Sequence, residues 1–294
     1  MTSPEPNPVK NLLVIHNPTA GRGRGHFLHS VLSRLRAKGV EIDLRPTTGP
    51  GDAGELARRA TGVDAVAVAG GDGTINEAIN GLIGNEVPLA VIPLGTANVL
   101  AAEIGLARSP RRIAETIARG CRRRIDLGRT NGRHFVMMAG VSFDAHVVAA
   151  VTPKLKRALG KTAFVVQSLR AMLRFPFPTY GITIDGRSYS AASAVIANGH
   201  YYGGRFTCTP AARLDDGLLH VCLFTLPGPW KAMQYATALV LGQLHRMRSV
   251  RVLTGRRIEV AGPSRDPVQG DGEIVGHLGL KVELAEETLK LIVS

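Results

Sequence analysis

The chain has 294 residues, 45% of them apolar, with 34 glycines and a net charge of +13 from 36 Lys and Arg against 23 Asp and Glu. That length exceeds what one hydrophobic core usually serves, so two domains are expected, and the apolar share excludes wholesale disorder. The positive excess favours a polyanionic partner, whether nucleic acid, nucleotide or anionic membrane, without choosing among them.

Three cysteines, Cys121, Cys208 and Cys222, are odd in number and form no C-x-x-C. They suggest neither a disulfide framework nor a zinc site, and they fit a reducing cytosol. Residues 1–8 are polar and proline-rich, unlike a signal peptide. The longest apolar stretch, near residues 236–241, falls far short of the roughly 20 residues a membrane span needs, so membrane contact is expected to be peripheral.

In chain order, Leu12 to His16, Glu41 to Leu44, Ala65 to Ala69 and Leu89 to Ile92 read as strands separated by helical patterns. Continuous apolar runs such as Ala65-Val66-Ala67-Val68-Ala69 suit a parallel sheet covered on both faces, which predicts a doubly wound α/β domain with its ligand beyond the C-terminal strand ends. After Gly120 the rhythm changes. Strand-like segments at Phe135 to Ala139, Gly181 to Ile184, Ala191 to Ala197, Leu218 to Phe224, Arg257 to Val260 and Leu280 to Leu284 predict a mainly antiparallel β-sandwich. Helical patterns persist at residues 145–150, 161–173 and 230–241. The expected division is residues 1–124 and 125–294, with the last strand a candidate to return to the first domain.

The strongest signal is Gly70-Gly71-Asp72-Gly73-Thr74, which follows a buried strand and opens an amphipathic helix bearing Ile75, Ala78, Ile79 and Leu82. Glycines let the backbone approach a phosphate, and helix N-terminal amides attract negative charge. Thr74 and Glu77 form a capping-box pattern. Asp72 offers a carboxylate that could orient a triphosphate through Mg²⁺ or a hydrogen bond. An ordinary strand-to-helix turn has the same glycines. Two further loops, Asn17-Pro18-Thr19-Ala20-Gly21 and Pro93-Leu94-Gly95-Thr96-Ala97-Asn98, follow other strands, however, so three polar turns should converge on one sheet edge. Gly160-Lys161-Thr162 lacks the glycine five residues earlier that a P-loop needs, and Gly21, Gly23 and Gly25 miss the dinucleotide spacing.

The motifs N-P-x-x-G, G-G-D-G-T-I-N-E and P-L-G-T-A-N, in this order, resemble the diacylglycerol kinase catalytic family, which includes bacterial lipid kinases and sphingosine and ceramide kinases. G-G-D-G-T is shared with NAD kinases and phosphofructokinases, and the third loop narrows the match to lipid kinases. The resemblance implies an N-terminal nucleotide domain, a C-terminal β-sandwich, ATP as phosphoryl donor, Mg²⁺, and a lipid acceptor in an anionic membrane. It further implies a cytoplasmic protein at the inner membrane face, with no nucleic-acid partner expected and a homodimer as one open arrangement. By resemblance, Asn17, Pro18, Thr19, Ala20, Gly21, Thr47, Gly70, Gly71, Asp72, Gly73, Thr74, Ile75, Asn76 and Thr96 would contact nucleotide. Ala20 and Val99 depart from the Ser and Asp common there.

Phosphoryl transfer needs in-line positioning, charge neutralisation and a carboxylate to receive the acceptor's proton. Asp271-Gly272-Glu273 could be a tight hairpin turn; in the resembling family the matching D-G-E is assigned to catalysis, so Asp271 or Glu273 is expected as base, with Asp72 a further catalytic candidate. The acidic turn Arg213-Leu214-Asp215-Asp216-Gly217-Leu218 could be a plain loop. The resemblance implies a structural Mg²⁺ there, held by the Asp216 carboxylate and the carbonyls of Arg213 and Leu218. His200 beside Tyr201 and Tyr202 reads as a loop or cleft residue. Basic clusters and the 161–174 helical segment are candidates for a lipid-facing surface, although such a helix more often packs on a core. The alternatives are an NAD kinase-like soluble kinase and a non-catalytic basic module binding lipid or nucleic acid.

Overall fold

A computed structural model describes residues 6–21, 24–141, 145–146, 149 and 175–294. The chain divides into two compact units, one of residues 1–126 with 286–294 and one of residues 127–285.

The first unit alternates β1 (Asn11–His16), α1 (Gly25–Arg36), β2 (Glu41–Pro46), α2 (Asp52–Arg58), β3 (Ala65–Gly70), α3 (Asp72–Leu82), β4 (Leu89–Pro93), α4 (Val99–Glu103) and α5 (Pro110–Arg119). Strands β2, β1, β3 and β4 lie side by side and all pair parallel. Every residue of β3 and β4 is buried, the pattern of a parallel sheet covered on both faces. By contrast β2 is an exposed edge strand, and its Glu41-Ile42-Asp43-Leu44-Arg45 sequence shows why: charge guards an unpaired edge. Helix α3 buries Ile75, Ala78, Ile79 and Leu82 at helical spacing, each worth on the order of 1 to 3 kcal/mol of apolar burial.

The second unit contains the remainder of β5 (Arg122–Thr130), then β6 (Arg133–Phe135), β7 (Met138–Val141), β8 (Tyr180–Ile184), β9 (Arg187–Ala191), β10 (Ser193–Ala197), β11 (Tyr201–Tyr202), β12 (Phe206–Thr207), β13 (Leu219–Phe224), helix α6 (Pro229–Val240), β14 (Val250–Gly255), β15 (Arg257–Ala261), β16 (Pro267–Gly270), β17 (Glu273–His277) and the first part of β18 (Leu280–Ile292). One antiparallel sheet runs β14-β13-β10-β7-β16-β17, and β18, β15, β8 and β9 form another. Phe135, Val141, Tyr180, Ile196, Val221, Ile258, Val268 and Val282, drawn from both sheets, share one buried core. The fold is therefore an α/β unit and an antiparallel β-sandwich.

The sequence-based elements differ from the structure in three informative places. Phe135 to Ala139 is not one strand: Val136 and Met137 interrupt it, because their amides are donated to a side chain rather than to a neighbouring strand. The capping box of Thr74 and Glu77 does not form, since α3 begins earlier, at Asp72 after an extended Gly71, and no side chain caps it. The last strand continues well past Leu284, through Ile292, and its final part belongs to the first unit, where Leu291 pairs with Leu89 and Lys290 bonds Glu86. The helix expected at residues 230–241 is α6, whereas the helical pattern at residues 161–173 and half of that at residues 145–150 lie outside the described residues.

Asp64 fixes the start of the sheet: one carboxylate oxygen accepts the Lys10 and Asn11 amides, both at 2.8 Å. Those amides, Asn11 first, hold its carboxyl below the ordinary value of 3.8. A depressed carboxylate contributes stability above the ordinary value that disappears as pH falls through the lowered one. Asp64→Ala should lower the unfolding free energy by about 1 kcal/mol at neutral pH in urea titrations, with the difference from wild type shrinking in acid.

Candidate functional site

The turns after β1, β3 and β4 meet at the C-terminal edge of the parallel sheet. Asn17 Nδ2 donates to Thr74 Oγ1 at 2.9 Å, and the Asn17 amide reaches the Ala69 carbonyl at 3.0 Å. The Gly70 carbonyl accepts the amides of Leu94 and Gly95 at 2.9 and 3.1 Å. Asn17 also shapes its own loop, its Oδ1 accepting the amide and hydroxyl of Thr19 at 2.9 and 2.8 Å. Thr47 joins the same edge, donating its amide to the His16 carbonyl at 2.8 Å.

Glycine is required here for two reasons. Gly21 has φ +62°, and a Cβ on it would lie 2.1 Å from the Leu94 carbonyl oxygen. A Cβ on Gly95 would lie 2.5 Å from the Gly71 Cα, so the second and third loops touch backbone to backbone. Such contact leaves a surface made of main chain, next to first-turn amides of α3 that have no intrahelical acceptor.

Asp72 is committed to this architecture. Its two carboxylate oxygens accept the Asn98 amide at 2.9 Å and the Val99 amide at 2.6 Å, capping α4 from across the sheet edge. Asn98 itself is left-handed, φ 50°, and donates Nδ2 to the Gly95 carbonyl at 2.6 Å. Arg24 adds its guanidinium to the carbonyls of Pro93 and Gly95 at 3.4 and 3.1 Å. In the sequence the one signal for Asn98 is its place at the end of P-L-G-T-A-N, and Arg24 reads only as part of a basic cluster with Arg22. Thr19 and Thr96 are exposed, while Ile75 and Asn76 are buried inside α3 and face its packing. His16, at the end of β1, is held below the ordinary histidine value by burial, which favours its neutral ring.

In the second unit, Asp271 and Gly272 have φ 49° and 84° and join β16 to β17, which is a two-residue hairpin turn with an Asp-Gly pair. The Asp271 carboxylate accepts three consecutive amides, Val136 at 2.8, Met137 at 2.9 and Met138 at 3.0 Å, and its own amide returns to the Met138 carbonyl at 2.9 Å. Asn198, fully buried, secures the same stretch from the other side: Nδ2 donates to the Val136 carbonyl and its amide to the Met137 carbonyl, at 2.9 and 2.8 Å. Gln269 Oε1 accepts the Gly272 amide at 2.9 Å. Sequence reasoning missed Asn198 and Gln269 because buried amide side chains carry no spacing signature. Glu273 pairs with Arg133 at 2.8 Å, both partly exposed.

Asp216 precedes β13, which is separated from β16 in the sheet by two strands, β10 and β7. It accepts the Arg213 and Leu218 amides at 3.2 and 3.1 Å and stands 2.9 Å from the Nε2 of buried His220. A carboxylate offers about four acceptor positions, so these contacts leave about one open. With the carbonyls of Arg213 and Leu218 the donor set is all oxygen, which fits a hard cation in kind. Among the described residues no three acidic, His or Cys side chains gather as a metal cluster.

Residues 11–130 match the diacylglycerol kinase catalytic domain family, and residues 136–293 match the YegS C-terminal NAD kinase β-sandwich-like domain family. The chain is 29% identical to the diacylglycerol kinase of Bacillus subtilis (strain 168), covering 92% of each chain. It is 30% identical to a protein of Enterobacter sp. (strain 638) named "Probable lipid kinase YegS-like", over 95% of this chain and 94% of that one. A solved structure from Bacillus anthracis str. Sterne, described as a candidate diacylglycerol kinase, superposes with a TM-score of 0.83 at 25% identity, covering 100% of this chain and 98% of the other.

The loop contacts predict a clear contrast among glycines. Gly21→Ala and Gly95→Ala should each destabilise the first unit by about 1 to 3 kcal/mol in chemical denaturation, because backbone must move to admit one methyl. Gly25→Ala, whose Cβ would meet nothing within 4 Å, should leave the midpoint unchanged.

Proposed function

Because the chain belongs to the diacylglycerol kinase catalytic domain family and carries the YegS-type C-terminal sandwich, making it a lipid kinase by family, we propose that it transfers the γ-phosphate of ATP to a lipid hydroxyl at a membrane surface. One observation supports this most: three glycine-containing turns pack main chain against main chain beside the uncapped start of α3, a surface suited to a triphosphate. The amides of Gly71 to Thr74 and of Gly21 bind phosphate oxygens, while the amides of Asn17, Thr19 and Ala20 hold the first loop in shape. Asp72, through the Asn98 and Val99 amides, positions the third loop against the second.

Transfer itself forms a bond from the acceptor hydroxyl oxygen to the γ-phosphorus and breaks the bond to the leaving ADP oxygen, and a carboxylate takes the hydroxyl proton. Asp271 and Glu273 are the candidates. Asp271 spends three acceptor positions on Val136, Met137 and Met138, so its replacement would also loosen that stretch. Glu273 pairs with Arg133 at 2.8 Å and its side chain is 41% exposed, so it is the more accessible of the two for proton transfer. The Asp216 carboxylate and the carbonyls of Arg213 and Leu218 would hold Mg²⁺, which when bound would neutralise charge and order the turn before β13.

With labelled ATP, Mg²⁺ and mixed micelles of diacylglycerol or related lipids, label should move to lipid. Glu273→Gln and Asp271→Asn should each cut the rate by about 100-fold or more, with only Asp271→Asn also lowering the melting temperature. Label appearing on NAD in a parallel tube and never on lipid would overturn the reading. For the metal, Mg²⁺ should raise the melting temperature of wild type and have no such effect on Asp216→Asn, a readout independent of turnover.

A further inference from the structure

Helix α6 inverts the usual arrangement of a surface helix. Of its twelve residues only Tyr235 is buried, with its hydroxyl near Leu226 and Ser249 and its ring edge-on to Phe224 at 5.0 Å. The apolar residues that would ordinarily face the core face outward instead. Trp230 and Val240 are each 65% exposed, Leu241 66%, Met233 41% and the preceding Leu226 46%. These are five of the eight large apolar residues exposed among the described residues, and all five lie within residues 226–241. Trp230, Met233, Thr237 and Leu241 follow one another at helical spacing and line a groove together with Met247 and Arg246. A helix of this length gains little stability by itself in water, so an outward apolar face calls for something to cover it.

Charge identifies the cover. Between Asp216 and Glu259 the sequence contains no acidic residue, yet it contains Lys231, Arg246, Arg248, Arg251, Arg256 and Arg257. Arg246 and Arg248 are exposed on the segment beside the helix. Trp and Met on an apolar face, a basic rim and no opposing acid match the chemistry of an anionic bilayer: acyl chains for the apolar face, headgroups for the guanidinium groups, and an indole at the boundary.

We propose that α6 and the Leu241–Arg248 segment form the surface by which this protein docks on an anionic lipid bilayer, with Trp230, Met233 and Leu241 entering the interface. The proposal gives a location to the membrane contact assumed in the functional reading, and it stands on residues outside the phosphate loops and the Asp271 hairpin.

Trp230 is the chain's only tryptophan, so its fluorescence reports on this surface alone. Equimolar phosphatidylcholine and phosphatidylglycerol vesicles, without nucleotide, should shift its emission to the blue, and bromine-labelled acyl chains should quench it. Pure phosphatidylcholine vesicles should give a much weaker response. Met233→Glu combined with Leu241→Glu should reduce partitioning by about tenfold or more, and Arg246→Glu with Arg248→Glu should weaken binding most at low salt, with circular dichroism unchanged in both. No blue shift on the anionic vesicles overturns the proposal. So does a blue shift that grows with protein concentration in the absence of vesicles and accompanies dimer sedimentation, since a second copy would then cover the face. Transfer to detergent-dispersed lipid without any Trp230 response removes the docking face and spares the kinase reading; a Trp230 response with no transfer to any lipid does the reverse.

Discussion

Irregular backbone must have its amides satisfied, and in this protein aspartate side chains carry much of that duty. Asp72 holds the amides of Asn98 and Val99, Asp271 those of Val136 to Met138, Asp64 those of Lys10 and Asn11, Asp52 those of Thr48 and Gly49, Asp185 those of Arg256 and Arg257, and Asp216 those of Arg213 and Leu218. The side chain suits the task, being short, rigid and double-ended, so that one residue can bind two or three successive donors. Remove Asp72 and the third glycine-containing loop loses its anchor to the second; remove Asp271 and the amides of Val136 to Met138, between β6 and β7, lose their acceptor.

This use of aspartate explains why the acids that stand out in the sequence are hard to interpret there. Asp72 and Asp271 sit in patterns that suggest chemistry, and both are found bound to main chain. The two roles are compatible, since a carboxylate with amides on most of its acceptor positions is held rigidly in place. They still have different consequences for mutation. Loss of an architectural carboxylate shows in stability, whereas loss of a proton acceptor shows in rate, and Glu273 offers the cleaner separation because its partner is a side chain.

Much of the fold was legible because its strongest signals are local. Strands β1, β3 and β4 are unbroken apolar runs, α3 has helical spacing, and Gly70 to Thr74 can hardly be anything other than a turn between them. What escaped reading depends on distant partners. Strand β5 begins Arg122-Arg123-Arg124 and looks like a charged linker, yet it forms a strand at the passage from one unit to the other. Strand β2 and the start of β18 are read at Glu41 to Leu44 and Leu280 to Leu284, but the continuation of β18 through Glu286 and Glu287 is set by its neighbours rather than by its own hydrophobicity. At the site, the loops were legible from their glycines, while Asn98, Asn198 and Gln269 were not, because a buried amide that satisfies one backbone group leaves no periodic trace.

Charge follows from the same economy. Among the described residues six aspartates are drawn into main-chain amides, and the stretch from Gly217 to Ile258 has no acid at all against six Lys and Arg, so about half of the +13 excess lies there. Coulomb attraction to a charged sheet of lipid depends on that concentration, since residues farther away than a Debye length, about 8 Å at physiological salt, contribute little. A kinase whose acceptor stays in the bilayer must remain near that surface through successive encounters. In the proposed docking mode, a local basic rim around an apolar helix would supply this by reversible partitioning, with affinity set by a few side chains.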